Sequence, residues 1–305
     1  MKSKYKLRGV VVSLNTPFDL QGAIDFDSYG RLIEYHLSEG AVGFLAPAQA
    51  AEVNELTMDE RIELIRFVQK RAGDRAVFFA CATAATAEAS LQVADAALAA
   101  GCSAVLTEAP ADRKGDRAAV KQFFRAIAAL GMPVLAIQDL EWNGPGIPVA
   151  DIAELFRSVE AFRCLKVEVQ PAGPKYTAVL EATAGQLHVS GGWAADQMIE
   201  SLDRGVDVYM STAMTAIYSQ IMRLHDEGKR ACARELFHRI LPVLAFTRQH
   251  LDISIHFYKR WMVHLGLFKT AVVRKRGQPY DSFHERCGQE LIQYLDTVRC
   301  DLTAC

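Results

Sequence analysis

The chain has 305 residues, half of them hydrophobic, and a formal net charge of −2 at pH 7. That length and apolar content are enough for a sizeable core in one large domain or two smaller ones. With no basic block or stripe, a nucleic-acid partner is excluded from the leading readings.

The start, M-K-S-K-Y-K-L-R-G-V-V-V-S-L-N-T-P-F, imitates a secretory signal, but its apolar stretch is short and Asn15 and Pro17 break it. No apolar run approaches the roughly 18–20 residues of a membrane span. Seven cysteines (Cys81, Cys102, Cys164, Cys232, Cys287, Cys300 and Cys305) are spread out and form no C-x-x-C pair. Most lie in apolar surroundings, which suits free thiols in a reducing compartment better than a disulfide framework. The expectation is a soluble cytoplasmic protein with no membrane association.

Short apolar runs, bounded by Gly, Pro, Asp or Asn, predict strands at 9–14, 42–47, 76–82, 103–109, 133–139, 163–169, 187–192 and 206–212. Between them, stretches such as D-F-D-S-Y-G-R-L-I-E-Y-H-L-S-E-G and A-E-A-S-L-Q-V-A-D-A-A-L-A-A-G repeat apolar residues at three- and four-residue spacing. A glycine often closes them, as at a helix C-cap. Eight strand–helix units in about 210 residues predict an α/β fold, the closed (β/α)8 TIM barrel. A doubly wound open sheet is the alternative, but it usually carries a Gly-rich loop after its first strand, and here N-T-P-F follows instead. The division expected is 1–214 for the barrel and 215–305 for a C-terminal extension of three or so helices packed on it.

One predicted strand, R-C-L-K-V-E-V-Q (163–170), carries charges inside an apolar run. Side chains alternate along a barrel strand. Leu165, Val167 and Val169 share one face, suited to the helix layer; Cys164, Lys166, Glu168 and Gln170 share the other, which would be the lumen. A buried ammonium is costly unless paired, and a neutral amine in a dry pocket attacks ketones. Lys166 is then either a Schiff-base lysine with Glu168 as partner and proton carrier, or half of a structural ion pair. This stretch alone leaves both open.

Other segments extend the reading. G-V-V-V-S-L-N-T-P-F with Asp25, L-T-M-D-E-R (56–61), T-A-E-A (86–89), A-D-A-A-L-A-A-G-C-S-A-V-L (94–106), V-L-A-I-Q-D, L-K-V-E, V-S-G-G, A-R-E-L-F-H-R-I-L-P-V-L and K-R-W-M-V-H-L-G follow one another in an order and spacing that resembles the dihydrodipicolinate synthase and N-acetylneuraminate lyase family. The resemblance covers nearly the whole chain. It implies a (β/α)8 barrel with a helical tail, a lyase that forms an imine with pyruvate or another 2-oxo acid, no cofactor, and a homo-oligomer, commonly a tetramer. The family's imine-forming lysine falls on Lys166.

The departures are specific. The family's G-T-T-G-E loop, which holds the oxo acid's carboxylate, falls on Ala48, Gln49, Ala50, Ala51 and Glu52, so both threonines are gone. Backbone N–H groups of Gln49, Ala50 and Ala51 remain as donors. The family's proton-shuttling tyrosine falls on Gln138, with Asp139 next to it. A second tyrosine falls within Pro110, Ala111 and Asp112, and the synthase's carboxylate-binding arginine falls near Asn143. The synthase's proton relay is therefore absent. Glu168 is the first candidate to replace it and Asp139 the second, while Gln138 serves as a hydrogen-bond donor. The Q-D and K-x-E pattern resembles a branch that includes dehydratases of 2-keto-3-deoxy sugar acids; aldol cleavage to pyruvate would use the same imine.

At the end of the seventh strand, Ser190 and Gly191, within S-G-G, let backbone approach a ligand, or simply make a tight turn. Trp193 walls the pocket or packs. Thr16 and Pro17 shape the loop after the first strand, and Tyr209 or Ser211 faces the pocket. His250, His256 and His264 do not stack on one helix face, and H-E-x-x-H is absent, so no metal is expected. R-K-R (274–276) reads as a solvated loop or subunit contact. The rival from another class is a barrel without catalysis that binds a small oxo acid as a sensor or partner protein.

Overall fold

The computed structural model describes residues 2–192, 197–274 and 277–302. Eight parallel strands close on themselves in chain order. They are β1 (Gly9–Ser13), β2 (Ala41–Ala46), β3 (Val77–Cys81), β4 (Ala104–Glu108), β5 (Val134–Glu141), β6 (Phe162–Val169), β7 (His188–Gly191) and β8 (Val208–Ser211). Each is followed by a helix of the outer ring: α1 (Phe26–Ser38), α2 (Met58–Ala72), α3 (Ala87–Ala99), α4 (Arg117–Ala129), α5 (Val149–Ser158), α6 (Ala172–Ala182), α7 (Met198–Asp203) and α8 (Thr215–Asp226). This is the (β/α)8 barrel the sequence predicts. Its strands were legible because a parallel strand is buried on both faces and reads as a continuous apolar run.

Local signals start the helices. Asp25 accepts the Ser28 N–H at the head of α1, Thr86 caps α3, and Asp116 accepts from Ala118 and Ala119 at the head of α4. Thr57 and Glu60 form a reciprocal capping box on α2. Each such cap stabilises its helix by ~1 kcal/mol.

The alternation along the strands creates two cores. Val10, Val12, Leu165 and Val167 join the helices in one. Val11, Leu45, Phe79, Leu106, Ala136 and Cys164 fill the lumen in the other. Towards the C-terminal ends of the strands the buried lumen positions become polar, with Glu108, Gln138, Lys166 and Ser190. A packed apolar floor under a polar upper layer is the layout in which a barrel carries its chemistry at the top.

The tail holds four helices among the described residues: α8, then α9 (Arg230–Thr247), α10 (Leu251–His264) and α11 (Ser282–Cys300). The first packs on β1 and β2, so a cut at residue 214 would part β8 from its own helix, and the unit that closes the ring runs to Asp226. Helix α9 lies against α8, and α10 reaches the turn that follows β2. Cys81, Cys102 and Cys164 are buried, Cys232 and Cys287 half-buried and Cys300 exposed, all as free thiols. No described helix is long and apolar enough to cross a membrane, and no cluster of His, Cys, Asp or Glu among the described residues is arranged to hold a metal.

Candidate active site

Strand register assembles the site. Glu108 on β4 is level with Gln138 on β5, Gln138 with Lys166 on β6, and Lys166 with Ser190 on β7. Glu168 stands one pleat higher on the face of Lys166, level with Leu140. Both charged side chains of β6 are therefore in the lumen. Lys166 Nζ lies 3.2 Å from Glu168 Oε2, and both are more than nine-tenths buried. Gln138 Nε2 donates to the same carboxylate oxygen at 2.6 Å. A buried ammonium and carboxylate persist when each has a partner and the remaining lone pairs find donors; Gln138 supplies such a donor.

A cavity of about 80 Å³ lies over this group, with Lys166, Glu168, Gln138, Gln49, Ala50 and Gly192 in its wall. A single water needs ~10–15 Å³ on that measure, so the cavity accommodates the oxo-acid end of a small substrate. Its roof comes from the tail: Leu244, Thr247 and Arg248 at the end of α9, and Leu251, Ser254 and Tyr258 on α10.

The turn after β2 forms one wall. Gln49–Ala51 make a single 3₁₀ turn, and Glu52 follows in the left-handed conformation (φ 58°). Asn15 Nδ2 donates to the Ala50 carbonyl at 2.7 Å and Thr16 Oγ1 to the Ala51 carbonyl at 2.9 Å. With the carbonyls pinned behind the loop, Gln49 and Ala50 front the cavity. Ala51 is fully buried; it supports the turn and is not part of the cavity wall. Behind it, Glu52 and Lys259 of α10 form a completely buried ion pair. Lys259 also donates to the Val272 carbonyl at 2.8 Å and stands 4.3 Å over the Phe18 ring.

Two residues named from sequence lie elsewhere. Asp139 alternates with Gln138 and faces the helix layer, where it pairs with Lys175 of α6 at 2.9 Å and accepts the Ile147 N–H at 2.7 Å. It fixes the loop after β5 and does not reach Lys166. Gly191 also faces outward, since a Cβ there would meet the Tyr176 hydroxyl and the Tyr209 ring. The glycine of the site is Gly192, where a Cβ would collide with the Glu168 carboxylate and come within 2.6 Å of Lys166 Cε. Ser190 is in the lumen row but donates to the Leu165 carbonyl at 3.3 Å.

Tyr209 turns away, its hydroxyl donating to the Met198 carbonyl at 2.9 Å, whereas Ser211 is in the cavity wall. Trp193, Lys275 and Arg276 lie outside the described residues. Arg274 pairs with Glu60 at 2.7 Å and stacks over Phe18, so it belongs to the fold and not to a solvated loop.

The collision at Gly192 gives a sharp expectation. In Gly192→Ala the flexible ends of Glu168 and Lys166 move while the backbone stays. Thermal stability should fall by no more than a few degrees, and kcat should drop at least ~100-fold, since a misplacement of about 1 Å can cost that much. Melting curves alongside turnover check it; a variant with full activity would remove Gly192 from the site.

Glu108 was missed in the sequence, although it showed the same anomaly as Lys166, a charge inside an apolar run. Its carboxylate accepts from Gln49 Nε2 at 3.3 Å, and its backbone N–H donates to Thr83 Oγ1 at 3.2 Å. Burial pushes its carboxyl up from the usual range, Lys114 pulls it the other way, and Glu168 and Lys166 add opposing contributions. The roof residues carried no local signal, because only the packing of α9 and α10 brings them over the barrel.

The known proteins that this chain resembles have the same architecture. A match to the dihydrodipicolinate synthetase family spans residues 6–296. The 4-hydroxy-tetrahydrodipicolinate synthase of Pseudomonas aeruginosa is 31% identical over 248 residues, covering 81% of this chain and 77% of that protein. The enzyme of the same name from Prosthecochloris aestuarii is 28% identical over 246 residues, covering 78% and 81%. Among solved structures, the 4-hydroxy-tetrahydrodipicolinate synthase of Methylacidiphilum fumariolicum SolV has a TM-score of 0.88 at 20% identity, over 97% of this chain and 98% of that one. YagE, an Escherichia coli prophage protein of the dihydrodipicolinic acid synthase family solved in complex with pyruvate, has a TM-score of 0.86 at 17% identity, over 96% and 99%. At such identities the structural likeness speaks of the fold alone. The family match runs through every strand of the barrel and into α11, and the chain is therefore a member of the dihydrodipicolinate synthetase family, a family of lyases.

Proposed function

We propose that this protein is a Schiff-base lyase that removes water from a 2-oxo acid with a hydroxyl at C4, a 2-keto-3-deoxy sugar acid. The observation that carries the reading is the buried Lys166–Glu168 pair at 3.2 Å, with Gln138 bonded to the same carboxylate, in the wall of a cavity at the top of the barrel. Glu168 takes a proton from Lys166, and the neutral amine attacks the C2 carbonyl. Water leaves and an imine forms. The imine withdraws electrons from C3, so a base removes a C3 proton to give the enamine. Collapse of the enamine expels the C4 oxygen as water once it is protonated. Hydrolysis of the conjugated imine returns Lys166 and releases an unsaturated 2-oxo acid. Glu168 is the base, and the N–H groups of Gln49 and Ala50, which front the cavity, bind the substrate carboxylate. The aldol alternative breaks C3–C4 from the same imine and releases pyruvate.

Glu168→Gln should still form the imine, while turnover falls by roughly 10²–10⁴-fold, the usual range for loss of a general base. An unchanged rate would take Glu168 out of the mechanism.

The reading is tested by borohydride trapping with pyruvate, followed by intact mass and peptide mapping. A reduced pyruvyl adduct on Lys166 supports the imine. Incubation with 2-keto-3-deoxy sugar acids then separates the outcomes: an unsaturated oxo acid supports dehydration, and pyruvate with an aldehyde overturns it in favour of aldol cleavage. No adduct with pyruvate or with a panel of longer 2-oxo acids overturns the imine itself.

A further inference from the structure

The lumen holds two carboxylates around Lys166, and the reaction above uses only one. Glu108 and Glu168 flank Gln138 from neighbouring strands: Glu108 is level with it on β4, and Glu168 accepts its amide N–H from β6. Each carboxylate is held by a different glutamine, Glu108 by Gln49 and Glu168 by Gln138. Their surroundings differ. Glu168 has Lys166 Nζ at 3.2 Å. Glu108 accepts from the Gln49 amide at 3.3 Å; burial raises its carboxyl above the usual range, with Lys114, Glu168 and Lys166 as the charged groups that bear on it. One carboxyl group beside the amine and one beside an amide, on either side of Gln138, is an arrangement that divides base from acid.

Their positions match the reacting atoms. Glu108 opens onto a second cavity of about 420 Å³ that shares Gln138 and Leu140 with the one over Lys166. A substrate joined to Lys166 through C2 and too long for the first cavity extends past Gln138, which brings C4 and its hydroxyl towards Glu108.

We propose that Glu108 is the general acid of the reaction, donating its proton to the C4 oxygen as the C4–O bond breaks, while Glu168 takes the C3 proton. This rests on the dehydratase reading. The step balances: the C3–H pair becomes the new C=C bond, the C4–O pair leaves with the oxygen, and the Glu108 proton makes it water. The proton collected by Glu168 returns through solvent, leaving the enzyme unchanged after each cycle.

Glu108→Gln tests the assignment, since the amide keeps an acceptor for Gln49 but has no acidic proton. Three readouts separate this proposal from the reading beneath it. Borohydride trapping of pyruvate on Lys166 and exchange of pyruvate C3 protons into D₂O both bypass C4, and both should stay within about 3-fold of wild type. Elimination from the 4-hydroxy substrate should fall at least ~100-fold. Elimination of fluoride from a 4-fluoro-2-oxo acid needs no proton on the leaving group and should stay within a few-fold. Unchanged elimination from the hydroxy substrate would overturn the proposal. So would equal losses with hydroxide and fluoride, or loss of C3 exchange, because those mark a structural role. Failure of trapping or exchange in the wild type would instead sink the imine reading.

Discussion

Lys166→Ala is expected to lower turnover by about four orders of magnitude or more, and to abolish the borohydride-trapped adduct. No other group in the lumen row combines an amine with burial; its neighbours there are Glu108, Gln138 and Ser190. Loss of the covalent path removes over ~5 kcal/mol of transition-state stabilisation. The fold should persist. Glu168 keeps its bond from Gln138 and borders the cavity, so water or a proton can replace the ammonium. Lys166→Arg provides the control: it retains the cation beside Glu168, cannot supply a neutral amine, and should be as inactive with less loss of stability. Circular dichroism, melting curves and product assays on both variants check this. Turnover near wild type in either would refute imine catalysis at Lys166.

The second large effect is on stability. Lys259→Met should lower unfolding free energy by roughly 3–5 kcal/mol, the cost of leaving one member of a buried pair uncompensated. For a chain of this size that is a fall of about 5–8 °C in Tm. Lys259 and Glu52 are both fully buried and tie α10 to the turn after β2, so the variant should also bind the oxo acid less tightly. The double variant Glu52→Gln with Lys259→Met should recover part of the loss, because no lone charge remains. The pH dependence adds a sign. Burial lowers Lys259 from 10.5 to about 8, with Glu52 opposing. Between those values the unfolded chain binds more protons at this site than the native protein, so this group adds stability as pH rises from about 8 to 10.5 and nothing changes below 8. The gap in stability between wild type and Lys259→Met should therefore widen over that window. A gap below about 1 kcal/mol at pH 7 would show that the pair does not hold the loop.

The sequence by itself determined the architecture. Eight apolar runs separated by amphipathic stretches call for a parallel sheet covered on both sides, and N-T-P-F in place of a Gly-rich loop after the first favours the barrel over an open sheet. Period-two alternation in 163–170 set Lys166 and Glu168 apart from Leu165 and Val167 without any coordinates. Only the tertiary structure decided what depends on register between strands. Gln138 and Asp139 are neighbours in the chain, so alternation puts them on opposite faces; which of them meets Lys166 is decided by the level of β5 against β6, and α6 supplies Lys175 to the other. The same register raises Glu108 into the site and puts Gly192, not Gly191, against the Glu168 carboxylate. The roof is more remote still, since Arg248 and Tyr258 reach the cavity through the packing of α9 and α10 on the barrel. Alternation is a local property of one strand, whereas register and helix docking are set by contacts between segments far apart in the chain, and these have no local signature.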